Sequence, residues 1–140
     1  MANEEETIAY LSAMEKEYEE EYGKTLQDIA RYNQLIEDQI GAERFIENFE
    51  RSEGKEVLLP LGEGILLPSQ TKRSAFIIHV GGSYYIEANK EKALAILNQN
   101  IAKLKEYAEK LALQAQEIRN EITKIVYTLG MLSNQRGKNV

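Results

Sequence analysis

The chain has no cysteine, one histidine and only two prolines among its 140 residues. Without cysteine there is no disulfide, no thiol nucleophile and no cysteine metal site, which fits a reducing cytosol. His79 lies in an apolar stretch with no acid, base or second ligand candidate close in sequence, so packing or interface hydrogen bonding is its expected role and no metal is expected. Positive charge is also short, with 17 Lys and Arg against 23 Asp and Glu and a net charge of -6. That balance suits neither phosphate backbones nor anionic lipid, so nucleic acid and membranes are not expected partners. No stretch approaches the ~18 apolar residues of a membrane span. The amino end, Met-Ala-Asn-Glu-Glu-Glu, lacks the basic start and apolar run of a secretion signal, and a cytoplasmic location is expected. Catalytic sets are missing too. Gly62-Glu63-Gly64 opens no helix and is followed by no lysine-serine or lysine-threonine pair, so neither nucleotide fingerprint is met. No nucleophile, base and orienter set is found either. The chain therefore reads as no enzyme, with no cofactor.

What is present is a symmetric layout. Two long proline-free helical segments, 4–52 and 89–133, flank a short centre, 56–87, that holds both Pro60 and Pro68, and 134–140 reads as a flexible tail. The whole is taken as one domain. In the second arm Leu94, Leu97, Ile101, Leu104, Ala108, Leu111, Ala115, Ile118, Ile122, Ile125, Leu129 and Leu132 recur in steps of three and four with no polar interruption. Such a seam needs a partner helix. The first arm carries Ile8, Leu11, Tyr18, Tyr22, Ile29, Tyr32, Ile36, Ile40, Ile46 and Phe49 in a less regular stripe. That stripe drifts after Ile36, and Glu15, Thr25 and Gln39 stand where a strict heptad wants apolar groups. Gly23 invites a bend, since a helix-interior glycine costs roughly 1 kcal/mol relative to alanine. A helix end is expected at Arg51-Ser52-Glu53-Gly54, and Asn89 is placed as the N-cap of the second arm.

The centre changes period. Val57 to Leu61 and Ile65 to Leu67 are separated by Gly62-Glu63-Gly64, and Ala75 to Val80 and Tyr84 to Glu87 by Gly81-Gly82-Ser83, so two β-hairpins are expected. Two hairpins bury little by themselves, and their edges and apolar faces need other chains. Val57, Leu59, Leu61, Ile65, Leu66, Leu67, Phe76, Ile78, Val80, Tyr84 and Ile86 are the expected oligomerisation residues.

If the arms fold back on each other, contacting positions sum to a nearly constant number. Ile8 then lies beside Leu132, Leu11 beside Leu129, Tyr18 beside Ile122, Ile36 beside Leu104 and Ile46 beside Leu94, with Tyr32 and Tyr22 near the small Ala108 and Ala115. Both chain ends meet at one tip. Its candidate binding residues are Ile8, Tyr10, Leu11, Met14, Leu129, Met131 and Leu132, of which Tyr10, Met14 and Met131 fall off the seam. Apolar groups that include flexible methionine suit adaptable binding of unrelated apolar segments. The acidic cluster Glu15, Glu17, Glu19, Glu20 and Glu21 spreads over several helix faces and reads as solvated surface.

Val57-Leu58-Leu59-Pro60-Leu61-Gly62-Glu63-Gly64, followed by Val80-Gly81-Gly82-Ser83-Tyr84-Tyr85-Ile86-Glu87, resembles the paired hairpin motifs of the prefoldin alpha class, and the matching layout covers nearly the whole chain. The resemblance implies an α+β fold: a long antiparallel two-helix coiled coil whose two central β-hairpins join an oligomeric β-barrel platform. It also implies a cytosolic, ATP-independent co-chaperone that captures unfolded client proteins with its coiled-coil tips and passes them to a group II chaperonin. The implied partners are beta-class subunits, two alpha chains with four beta. The alternative is a structural one, a homo-oligomeric or filament-forming scaffold built on the same strands.

Overall fold

The computed structural model describes residues 2–49, 54–70 and 75–138. Helix α1 spans Ala2–Glu47, strands β1 and β2 span Glu56–Gly62 and Ile65–Gln70, β3 and β4 span Phe76–Gly81 and Tyr84–Ala88, and helix α2 spans Lys90–Lys138. The strands form two separate antiparallel hairpins, β1 with β2 and β3 with β4. This is the α+β class read from the residues, with the hairpins where the glycine turns placed them.

Local chemistry explains the element ends. Asn89 caps α2, its Oδ1 accepting the Lys92 N–H at 2.9 Å, which satisfies one donor that the first helical turn leaves open. At the end of α1 the Asn48 side-chain amide and backbone N–H both donate to the Arg44 carbonyl, at 2.9 and 3.2 Å, the kind of local competition that stops helices. Lys90 Nζ donates to the Glu47 carbonyl at 3.1 Å and ties this end to the start of α2. The helix end expected at Arg51, Ser52 and Glu53 lies outside the described residues, while Gly54 does take a left-handed φ of 75°. The expected tail differs: α2 runs on to Lys138 rather than stopping near Ser133. Gln135, Arg136 and Lys138 are good helix formers, and the lone Gly137 is too small a penalty to stop a helix already nucleated.

The chain divides into two compact units, residues 1–34 with 105–140 and residues 35–104. In the first, Tyr32 stacks on Tyr107 with ring centroids 6.0 Å apart. Tyr18 and Glu21 line a cleft with Gln114, Glu117, Ile118 and Glu121. As the α1 number falls the α2 number rises, so the two helical segments are antiparallel. In the second unit Ile46, Ala88, Ala93 and Leu97 form the buried core, with Leu94, Phe76 and Ile78 packed against it. Both sets agree with the constant-sum register, one residue off at Tyr107 and on it at Ile46 and Leu94.

Every seam position named in α2 is buried or half-buried. The first arm is more regular than its composition suggested. Ile8, Leu11, Glu15, Tyr18, Tyr22, Thr25, Ile29, Tyr32, Ile36, Gln39, Glu43 and Ile46 keep the three-four spacing throughout, and all are buried or half-buried. The stripe does not drift after Ile36; polar residues occupy it. Thr25, at 5% exposure, is accommodated because its hydroxyl donates to the Glu21 carbonyl at 2.9 Å. Gln39 is not accommodated in this way, and its Oε1 is buried with no hydrogen-bond partner among the described residues. Helix α1 runs unbroken through Gly23 and Gly41, so packing outweighs the glycine penalty there.

Candidate functional site

Two surfaces, one in each unit, carry the expected site residues. In the helical unit, Tyr10 is 66% exposed and Met131 48%, while Ile8, Leu11, Met14, Leu129 and Leu132 are half-buried. Tyr10 and Met131, off the seam, face solvent as that position implies, whereas Met14, also off the seam, is half-buried with the seam residues. Tyr10, Ala13, Met14 and Tyr18 line a cleft of about 380 Å³ that Glu17 and Glu21 complete. Two aromatic rings, a thioether and two carboxylates thus line one cleft. The antiparallel register, continued to the chain ends, sets Ile8 opposite Leu132 and Leu11 opposite Leu129. Sequence reasoning missed Val126 and Tyr127, exposed at 49% and 70% one turn before Leu129. Their signal was available, because both are apolar residues off the three-four spacing, as Met131 is.

The strand surface is built by register. Leu59 opposes Leu67 and Val57 opposes Ser69 on one face of the first hairpin, while Leu58 opposes Pro68 and Pro60 opposes Leu66 on the other. Leu58, Leu59, Leu61, Ile65, Leu66 and Leu67 are all exposed. The hairpin is apolar on both faces, whereas a hairpin with one wet face alternates. Its two-residue turn is of the type I′ kind, with Glu63 at φ 49° and Gly64 at φ 79°.

The second hairpin is one-sided. Phe76 pairs with Ala88 and Ile78 with Ile86, and Phe76 and Ile78 pack on Ile46, Ala93 and Leu97 of their own chain. Phe49 closes this core through an edge-on contact with Phe76, centroids 5.1 Å apart. The other face carries Ile77 and Tyr85 in the open, with Val80 and Tyr84 exposed near the turn. Leu58, Ile77 and Tyr85 therefore join the expected strand residues. The unbroken apolar run from Val57 to Leu61 was the sign that the first hairpin has no polar face. His79 Nε2 lies 2.7 Å from the Gly82 carbonyl, and its ring sits 5.1 Å from that of Tyr85, so it braces the turn. Beside β3, Gln39, Ala42, Phe45, Ile46, Leu97 and Asn100 enclose a mostly apolar cleft of about 500 Å³.

Among the described residues no group of three or more His, Cys, Asp or Glu is placed to hold a metal ion. No helix among them is long and apolar enough to cross a membrane.

Comparison with known proteins agrees with this architecture. The model of the family described as "Prefoldin subunit" matches residues 18–135. A solved structure, filamentous PFD from Methanocaldococcus jannaschii determined by cryo-EM, is similar in fold with a TM-score of 0.68 and 20% sequence identity, covering 81% of this chain and 95% of that one. Among curated proteins none matches. Two antiparallel helical segments of matched heptad spacing, two glycine-turned hairpins between them and a family match over most of the length lead to one assignment: the chain belongs to the prefoldin subunit family.

Proposed function

We propose that this prefoldin subunit is of the alpha class and acts in the cytoplasm as an ATP-independent co-chaperone. It captures unfolded polypeptides with the paired ends of α1 and α2 and delivers them to a group II chaperonin. Two hairpins rather than one support the class, and with it a partnership of two alpha chains with four beta-class subunits. The observation that carries the function is the exposure of Tyr10 and Met131, with Tyr10 lining a cleft that Met14, Glu17 and Glu21 share. Each such patch buries little client surface, and at ~25 cal/mol per Å² it binds weakly. Several subunits acting on one client turn later contacts into intramolecular ones, which raises avidity by roughly 10² to 10⁴. Weak single contacts also allow release without a nucleotide. The carboxylates at the cleft favour apolar client segments flanked by lysine or arginine.

The test is aggregation of a denatured client diluted into the assembled complex without ATP. Replacing Tyr10, Met14 and Met131 together by serine is expected to raise aggregation with the assembly unchanged in mass. Full protection by the triple variant would overturn the tip assignment.

A second reading has its own support, since the similar solved structure is a filamentous PFD and the first hairpin is apolar on both faces. On that reading the chain is a homo-oligomeric or filament-forming scaffold. Mass measured for the chain alone and with a beta-class subunit separates the two: a defined hetero-oligomer supports the co-chaperone, open-ended growth of the chain alone the scaffold.

A further inference from the structure

The cleft beside β3 belongs wholly to the unit of residues 35–104, and its lining is polarised. At one end stand two carboxamides, Gln39 on α1 and Asn100 on α2, at one level of the antiparallel register that sets Ile46 beside Leu94. The rest is apolar: the buried Ile46 and Leu97, with the rings of Phe45 and Phe76. Phe49 joins these rings into one aromatic row, its centroid 6.1 Å from that of Phe45 and 5.1 Å from that of Phe76. No lining residue is Asp, Glu, Lys or Arg, although 29% of the chain is charged. A charged occupant would thus be buried without a counter-charge. Gln39 shows which polar group is missing. Its Oε1 is buried and accepts no hydrogen bond among the described residues, from Asn100 or any other. Such an oxygen is costly unless a donor reaches it.

We propose that this cleft is a binding site for a small, uncharged aromatic molecule that carries one N–H at its end, of which indole is the simplest case. The ring lies against Phe45 and Phe76, and the N–H donates to Gln39 Oε1. Phe45 and Ile77 at the rim are 52% and 76% exposed, and theirs is the apolar surface that a flat ring would cover. The volume of about 500 Å³ falls within the ~300 to 1,000 Å³ of small-molecule sites. An extended polypeptide would bring a carbonyl beside every N–H into a cleft whose one orphaned side-chain atom among the described residues is an acceptor. Neither the helix ends nor pairing between subunits enters into this site, so it stands apart from the co-chaperone and scaffold readings.

The test uses indole fluorescence, which the full chain leaves unobscured because it has no tryptophan. Indole titrated with the chain is expected to shift its emission to the blue and to saturate at one molecule per chain. N-methylindole, which lacks the N–H, is expected to bind roughly tenfold more weakly, and Gln39→Leu should remove that preference. Ala42→Phe, at an exposed lining position, should fill the cleft and abolish binding with the far-UV spectrum unchanged. If that spectrum changes, Ala42→Leu takes its place. Leu113→Ser, which removes an exposed apolar residue of the other unit, should leave binding intact. Failure to saturate overturns the proposal, as do equal affinity of the wild type for the two indoles and binding that survives the Ala42 variant. The same titration on the complex with a beta-class subunit decides between a small molecule and a partner chain. Retained binding supports the site, and its loss on assembly overturns it by giving the cleft to the partner.

Discussion

Single residues carry more of the energetics here than the length of the helices suggests. Gly23 sits in a continuous helix, and a methyl group added there meets nothing within 4 Å. Gly23→Ala is therefore expected to raise stability by about 1 kcal/mol in thermal unfolding. Gly64, by contrast, holds a positive φ of 79° in the first hairpin turn. Gly64→Ala should cost about 1 to 2 kcal/mol at equally open space, because the strain is in the backbone and not in packing. Gln39 presents the opposite case, a half-buried seam residue whose Oε1 has no partner among the described residues. Gln39→Leu is expected to add about 1 to 3 kcal/mol by removing the unsatisfied group, measured as a higher denaturant midpoint with unchanged slope. Thr25→Ala should do less, since its hydroxyl is already bonded to the Glu21 carbonyl.

At the scale of the elements, the two helices are unequal partners. Seam positions of α2 are apolar without exception, while those of α1 include Glu15, Thr25, Gln39 and Glu43, all buried or half-buried. A peptide spanning Lys90–Lys138 should self-associate by sedimentation and gain helicity with concentration, whereas one spanning Ala2–Glu47 should stay monomeric and weakly helical. This inequality also explains what was legible beforehand. The α2 seam, the hairpin turns and the Asn89 cap were readable because periodicity, glycine and a short polar side chain each have one dominant physical consequence. Apolar spacing by itself makes the α1 seam drift after Ile36, because it cannot register a heptad position filled by Gln39 or Glu43. Only the partner helix decides that such residues go inside. The strand residues were half legible. Leu66 and Tyr84 are exposed, but Phe76 and Ile78 pack on their own chain, and composition does not distinguish an apolar strand residue facing its own helix from one left in the open. A charge at Leu66 and a charge at Ile78 should thus behave differently. Leu66→Lys is expected to lower assembly mass with the melting curve of the single chain preserved, while Ile78→Lys should destabilise the chain itself.

For the molecule as a whole, the exposed leucines of the first hairpin are expected to tie stability to association. Anything that binds only the folded state raises apparent stability by mass action, so the melting temperature of the wild type should rise with protein concentration, and that of Leu66→Lys should rise less. With a net charge of -6 and carboxylates at the tip cleft, client capture is expected to strengthen for basic apolar clients as salt is lowered, within the range set by a Debye length of about 10 Å at 0.1 M. The polar residues set into the α1 seam have a further consequence, on the ribosome. Synthesis runs from the amino end at roughly 5 to 20 residues per second, so α1 waits on the order of ten seconds before α2 is complete. A first helix with an unbroken apolar stripe would spend that interval as an aggregation hazard of the kind chaperones exist to shield. Glu15, Thr25, Gln39 and Glu43 are expected to lower that hazard, and the helix whose seam is apolar throughout follows after, when its partner is already there to receive it. Nascent chains stalled before Lys90 should accordingly pellet less than chains of the same length in which these four positions are leucine.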